Sequence, residues 1–357
     1  MSTLHTVSRR DYRWWQVLTW APHRVMFAAG AIQGTLALAG WFQDLLADYT
    51  GWYRPLELNI PESWAHGYLM VYGFFPFFMF GFLMTALPNW VVQEKPTPGN
   101  YVPAAGLMFL GVTLFYAGML LFEPLIYVGV ALQLGGWLVG LSGLVRRVRA
   151  AQGQDLRHPL AAILGMTVGA MGLMVFNFAM VAHEPWAARL SLLAGVWMFL
   201  LPVFLTVAHR MVPFFSSRVL SNYRVVRPYW ALWVLVGAAA IHGTLMIAGV
   251  PQLSWIADLT GFAVSLYLVI AWRIDRSFED RLLAVLHLAF AWLPVAFALS
   301  AVQTLSAFLG HTIYLGLAPT HALAVGFFSS MLVAMATRVT LGHSGRPLQA
   351  DLGTWIL

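Results

Sequence analysis

The sequence predicts an all-helical membrane bundle, and three observations predict it. Of the 357 residues, 60% are apolar and only 10% are charged, where a soluble chain carries about 25% charged residues. The mean hydropathy is +0.73, so the chain needs lipid as its solvent. Roughly ten apolar stretches are long enough to cross a hydrocarbon core of about 30 Å as helices, and none alternates in the manner of barrel strands.

The first stretch, 25–47, follows a basic start (Arg9, Arg10, Arg13, Arg24) with no small-residue cleavage site, which predicts a retained helix rather than a removed signal peptide. The next four are 64–90, 101–121, 124–145 and 159–181. A second run follows at 186–208, 229–249, 253–272, 281–309 and 317–337. Pro76, Pro202 and Pro294 fall inside these helices and predict kinks. The organisation expected is a single membrane domain over 1–357, with no soluble module.

Basic residues set the orientation. If the connections alternate sides, one side receives 18 of the 20 Lys and Arg residues. The other receives only Arg54 and Arg189. By the positive-inside rule this supports ten helices with both termini cytoplasmic. The same rule accounts for the net charge of +6 and the Arg146–Arg149 and Arg218–Arg227 runs without nucleic acid as a partner.

There is no cysteine, which excludes disulfides, iron–sulfur clusters, thiolate zinc sites and covalently attached haem. Any metal centre must rest on histidine, methionine or oxygen, and the chain has 11 histidines. The predicted topology sorts them into two layers. His23, His209, His287 and His343 fall on the cytoplasmic side, His287 about 9 Å into its helix. His66, His183, His311 and His321 fall on the outer side, with His242 in the outer half of its helix. His5 and His158 read as solvent residues.

Ionisable side chains in a bilayer mark functional sites by default, and imidazole is a common ligand of haem iron and copper. For any one histidine, an ordinary interfacial role is as good an account; the layering favours metal. Gly30, Gly34 and Gly73, on the faces of His23 and His66, would give a macrocycle room, although close helix packing explains them as well. Met70, four residues after His66, is a candidate soft ligand. The remaining polar groups (Gln33, Asp44, Gln133, Asn177, Asp258, Gln303) are scattered, with the carboxylates near helix ends. No buried acidic relay of the kind used by ion-coupled transporters is expected.

Several blocks resemble one family. Thr320-His-Ala-Leu-Ala-Val-Gly326 and the run from Met335 through Arg338 and His343 to Pro347 closely resemble the C-terminal signature of NnrS proteins. Ala21-Pro-His-Arg24, the run from Gly81 to Trp90, His209-Arg-Met-Val-Pro-Phe-Phe215 and the run from Leu286 to Pro294 also match, in order. Many family members carry His-Ala-His-Glu-Met at the start of the second helix. This chain has His66-Gly67-Tyr68-Leu69-Met70, so only the first histidine carries over. Family members typically continue through about two more helices, so the resemblance implies a short version of the architecture, natural or truncated.

The resemblance implies a polytopic protein of the bacterial cytoplasmic membrane in the nitric-oxide response, with one or two b-type haems and copper as a further candidate. Joined to the layering, it makes His23, His209, His287 and His343 an inner site, with Arg210 or Arg338 on haem propionates. His66 and His321 then form an outer site, with His183 or His242 as weaker candidates. Nitric oxide or a similar diatomic is the expected ligand, and a membrane or periplasmic electron donor the expected partner if the protein is an oxidoreductase that consumes it. The alternatives are a transporter or channel with a histidine-lined path, and a non-catalytic assembly factor for a membrane redox enzyme.

Overall fold

The computed structural model describes residues 13–311 and 313–344. Those residues form helices and loops, with no strand among them. The chain divides into two compact units, Met1–Gln154 and Asp155–Leu357. Among the described residues nine helices are long and apolar enough to cross a membrane, and a tenth apolar helix of 17 residues accompanies them.

The first unit holds α1 (Pro22–Thr50), α2 (Glu62–Trp90), α3 (Pro98–Leu120) and α4 (Pro124–Ala150). Proline stands in the first turn of α1, α3 and α4, where its missing N–H costs nothing and its fixed φ suits the helix. Gly51 closes α1 in the left-handed conformation (φ +64°) and returns its N–H to Ala47, the usual helix stop. The α3–α4 pair approaches closely because Gly111, Gly118, Gly129 and Gly136 face across it. A Cβ on Gly111 would lie 2.5 Å from the Gly129 carbonyl oxygen, and one on Gly129 would lie 2.6 Å from that of Gly111. Lipid tails give no hydrophobic drive to such a contact, so backbone proximity supplies the packing.

Inside α2 the α-helix gives way to a π-helical stretch, Leu69–Phe74, before Phe75–Trp90 resumes. The reason lies in Pro76, which has no N–H for the carbonyl of Tyr72. Gln133 of α4 replaces it: its Nε2 donates to the Tyr72 carbonyl at 2.5 Å, and its Oε1 accepts from the Tyr68 hydroxyl. Tyr68 in turn stacks on Phe115 of α3, centroids 3.9 Å apart. A glutamine that reads as a stray polar residue is therefore the group that satisfies a broken ladder in lipid, as the bilayer requires.

The second unit holds α5 (Arg157–Ala182), α6 (Pro185–Val219), α7 (Tyr229–Ile247), α8 (Trp255–Ala271), α9 (Arg281–Phe308) and α10 (Ala318–His343). α6 and α10 also carry π-helical stretches, at Gly195–Leu200 and Ala322–Ser329. Asp280 caps α9 by accepting the N–H of Leu283 at 2.8 Å. The short α8 sits between a 3-10 turn at Pro251–Leu253 and the left-handed Arg273.

Candidate functional site

In the first unit the histidines lie at opposite ends of the antiparallel α1–α2 pair. His23, in the first turn of α1, is 3% exposed, and its Nδ1 lies 3.3 Å from the Thr85 hydroxyl near the end of α2. That hydroxyl already donates to the Gly81 carbonyl at 2.7 Å, so the imidazole supplies the proton. His66, near the start of α2, stacks on Trp41 of α1 with centroids 4.1 Å apart. Eighteen residues of α1 separate the two contacts, about 27 Å along its axis. The glycines beside them accept side chains: a Cβ on Gly30 would lie 2.5 Å from Phe78, and one on Gly34 would lie 2.4 Å from Phe74. They are packing glycines. Met70 falls inside the π-helical stretch, so it does not follow His66 at plain α-helical spacing.

Beside His66 a cleft of about 110 Å³ opens, lined by Gly40, Trp41, Asp44, Glu62, His66 and Tyr116 among others. Ordinary cofactor pockets run to several hundred Å³, so this one suits a small ligand. Asp44 is only 8% exposed.

In the second unit, His158 overturns the expectation of a solvent residue. It is fully buried, because the first turn of α5 faces α6 and α7. A hydrogen-bonded chain runs through it. His209 Nε2–H donates to the Pro228 carbonyl at 3.1 Å, which leaves its Nδ1 to accept from His158 Nε2–H at 3.0 Å. The chain meets the Tyr229 hydroxyl, which lies 3.0 Å from His158 Nδ1 and 2.6 Å from Asp155, so the two acceptors compete for its single proton. Arg157 pairs with Asp155 through two hydrogen bonds and covers the Tyr229 ring, 3.4 Å from its centroid. The Arg157 guanidinium, helped by the Tyr229 hydroxyl, holds the Asp155 carboxyl well below the usual carboxylate range against its partial burial. Both ring nitrogens of His209 therefore have protein partners.

Asp258 lies near a helix end as expected, in the first turn of α8, but it does not face solvent. Asp258 is fully buried and accepts from His242 Nδ1–H at 2.6 Å, Thr304 at 2.9 Å and Ser254 at 3.0 Å. The His242 ring lies 3.8 Å from that of Trp197, which belongs to the π-helical stretch of α6. Hairpin arithmetic could have found this pair. His242 lies five residues before the end of α7 and Asp258 three after the start of α8, so the two are level.

The remaining candidates spread along α9 and α10. His287 is buried, 3.0 Å from the Ser216 hydroxyl. His321 and His343 are exposed and donate Nδ1–H to carbonyls four residues back, at 3.0 Å and 2.9 Å. That contact fixes Nε2 as the acceptor nitrogen, the tautomer a metal takes. Arg338 is 6% exposed, and neither Nε nor Nη1 has a hydrogen-bond partner. Its guanidinium lies over Phe215, 4.3 Å from the centroid. Asp280 acts on it through space. Arg210 lies among the cationic groups around His158. His183 caps α5 in the left-handed conformation, and His5 lies outside the described residues. Among the described residues no three of His, Asp and Glu are already gathered as a metal shell.

No curated protein and no solved structure matches the chain. A family model described as NnrS protein matches residues 17–357, taking in α1 to α10 and every histidine placed above. On that span, and with its multi-pass apolar helices, the chain is a membrane protein that belongs to the NnrS family.

Proposed function

We propose that this protein binds haem and, through it, nitric oxide, as part of the bacterial response to nitrosative stress in the cytoplasmic membrane. Family membership supports the physiological setting. The observation that carries the cofactor is Arg338, a guanidinium buried in an apolar wall with two nitrogens lacking acceptors. Such a group is costly unless an anion meets it, and a haem propionate is an anion of the right kind. The nearby Asp280 carboxylate is already committed to the N–H of Leu283.

The donor set fits as well. The chain offers imidazole and no thiolate, which suits b-type haem. His343 lies one and a half turns beyond Arg338 on the same helix, with its tautomer fixed for ligation. His343 would hold the iron and leave it a position open for nitric oxide, and Arg338 and Arg210 would hold the propionates. When bound, the group would supply an iron that takes nitric oxide as a ligand. His209 contributes to the Asp155–His158 chain instead, as both its nitrogens are engaged.

The test is a pyridine-haemochrome spectrum with metal analysis on protein from haem-replete cells. About one b-type haem per chain is expected, with a Soret band that shifts on adding nitric oxide and falls in Arg338→Gln and His343→Gln. A folded protein with no haem would overturn the reading.

A further inference from the structure

The cleft beside His66 joins an apolar rim to an acidic wall. Leu36 and Leu120 line it, and each is about half exposed. Both stand on membrane-crossing helices, α1 and α3, so in a bilayer this rim meets lipid tails. On the acidic side, Asp44 is more than nine-tenths buried and its Oδ1 has no hydrogen-bond partner. Buried polar atoms in folded proteins are almost always satisfied, so this acceptor calls for a donor. Among the described residues no Lys or Arg lines the cleft to supply one.

Charge and size narrow the donor. Glu62 also lines the cleft, and Asp48 acts on both carboxylates from nearby. Three carboxylates repel a phosphate, so a phospholipid whose ammonium reached Asp44 would draw its own phosphate against them. A neutral O–H on an apolar body satisfies Asp44 without that cost. A closed cavity of about 150 Å³ holds a benzene ring. This cleft, of about 110 Å³ and open at its rim, takes one such ring with the substituents outside. Trp41, stacked on His66, supplies an aromatic wall of the kind rings pack against. Gly40 leaves room, since a Cβ there would meet nothing within 4 Å.

We propose that this cleft binds the ring of a membrane hydroquinone, a lipid-tailed benzenediol, with one ring hydroxyl donating to Asp44. Glu62 is a second acceptor at the same cleft, and the tail leaves past Leu36 and Leu120 into lipid. A hydroquinone gives up two electrons and two protons when it is oxidised to the quinone, so it is also the class of donor on which the haem proposed at Arg338 would draw. Binding itself does not depend on that haem.

The test uses the full-length protein in detergent under anaerobic conditions. A short-chain ubiquinol and menadiol are the probes, each compared with its oxidised quinone by equilibrium dialysis. About one hydroquinone per chain is expected, bound roughly tenfold or more tightly than the quinone, which has no hydrogen to give Asp44. Asp44→Ala is expected to weaken hydroquinone binding by that factor and to abolish the preference for the reduced ring. Gly40→Leu fills the open space and removes no polar group. It is expected to weaken both redox forms and covers the case in which the Asp44 variant fails to fold. Haem content is expected to be unchanged in both variants, so loss of this site and loss of the haem site are distinct results. No stoichiometric hydroquinone, equal affinity for the two redox forms, or affinities that neither variant alters would overturn the proposal. Displacement of the probe by dispersed phosphatidylethanolamine as readily as by excess hydroquinone would also overturn it, in favour of a lipid-headgroup site.

Discussion

Asp155 stands two residues before α5, and its carboxylate is shared between Arg157 and the Tyr229 hydroxyl. Its proton affinity is depressed in the folded state, chiefly by the Arg157 hydrogen bonds. The stability this contributes is therefore complete above the unfolded carboxylate range, about pH 4, and is lost as pH falls towards the folded value. The thermal midpoint of wild type should exceed that of Asp155→Asn at pH 7, and the gap should narrow steadily below about pH 4. A gap that stays constant down to about pH 3 would contradict this. The same neighbourhood explains why His158 is misread from sequence. It sits in a charged run, Asp155-Leu-Arg-His158, of the sort that faces water. Which way the first turn of α5 points is decided by α6 and α7, and no local pattern records that. Asp258 is a similar case: its place along a helix is legible, but His242 and Thr304, which donate to it, come from other helices.

At the scale of elements, hydropathy locates the hydrocarbon-crossing parts well and the helix ends less well. The seventh and ninth predicted stretches, 229–249 and 281–309, match Tyr229–Ile247 and Arg281–Phe308 closely. The sixth, 186–208, stops short, whereas α6 continues to Val219. His209 and Arg210 end the apolar run, but backbone hydrogen bonding continues past the point where side chains become polar. The prolines are legible as irregularities and not as π-helical stretches. Pro76 and Pro202 each stand two residues beyond one, and the partner that repairs α2 lies on α4. Replacing that partner tests the account. Gln133→Leu would leave the Tyr72 carbonyl without its donor and the Tyr68 hydroxyl without its acceptor in a dry interior, at a cost of about 1–3 kcal/mol. A clear fall in the thermal midpoint is expected, and a midpoint equal to wild type would mean that water or a backbone shift replaces the amide.

For the whole molecule, the count of apolar helices predicts how many times the chain crosses, and the placement of the charges predicts which way. Loops that alternate sides give an 18 to 2 division of Lys and Arg, and each connection tests the count of helices before it. The short α8 is the critical one, since its 17 residues span only about 26 Å. If it failed to cross, everything after it would lie on the wrong side. The absence of cysteine makes the question directly measurable, because any introduced thiol is the only one. Trp52, in the Arg54 loop, and Trp186, near Arg189, are exposed. Replaced singly by cysteine, each should react with a membrane-impermeant maleimide added to intact spheroplasts. Gln152 and Val225, exposed between α4 and α5 and between α6 and α7, should react only after lysis when replaced in the same way. Phe278, exposed in the connection after α8, is the decisive position. Protection of Phe278→Cys in intact spheroplasts requires α8 to cross, whereas labelling there would put α9 and α10 in the opposite orientation, with Arg338 and His343 at the outer face.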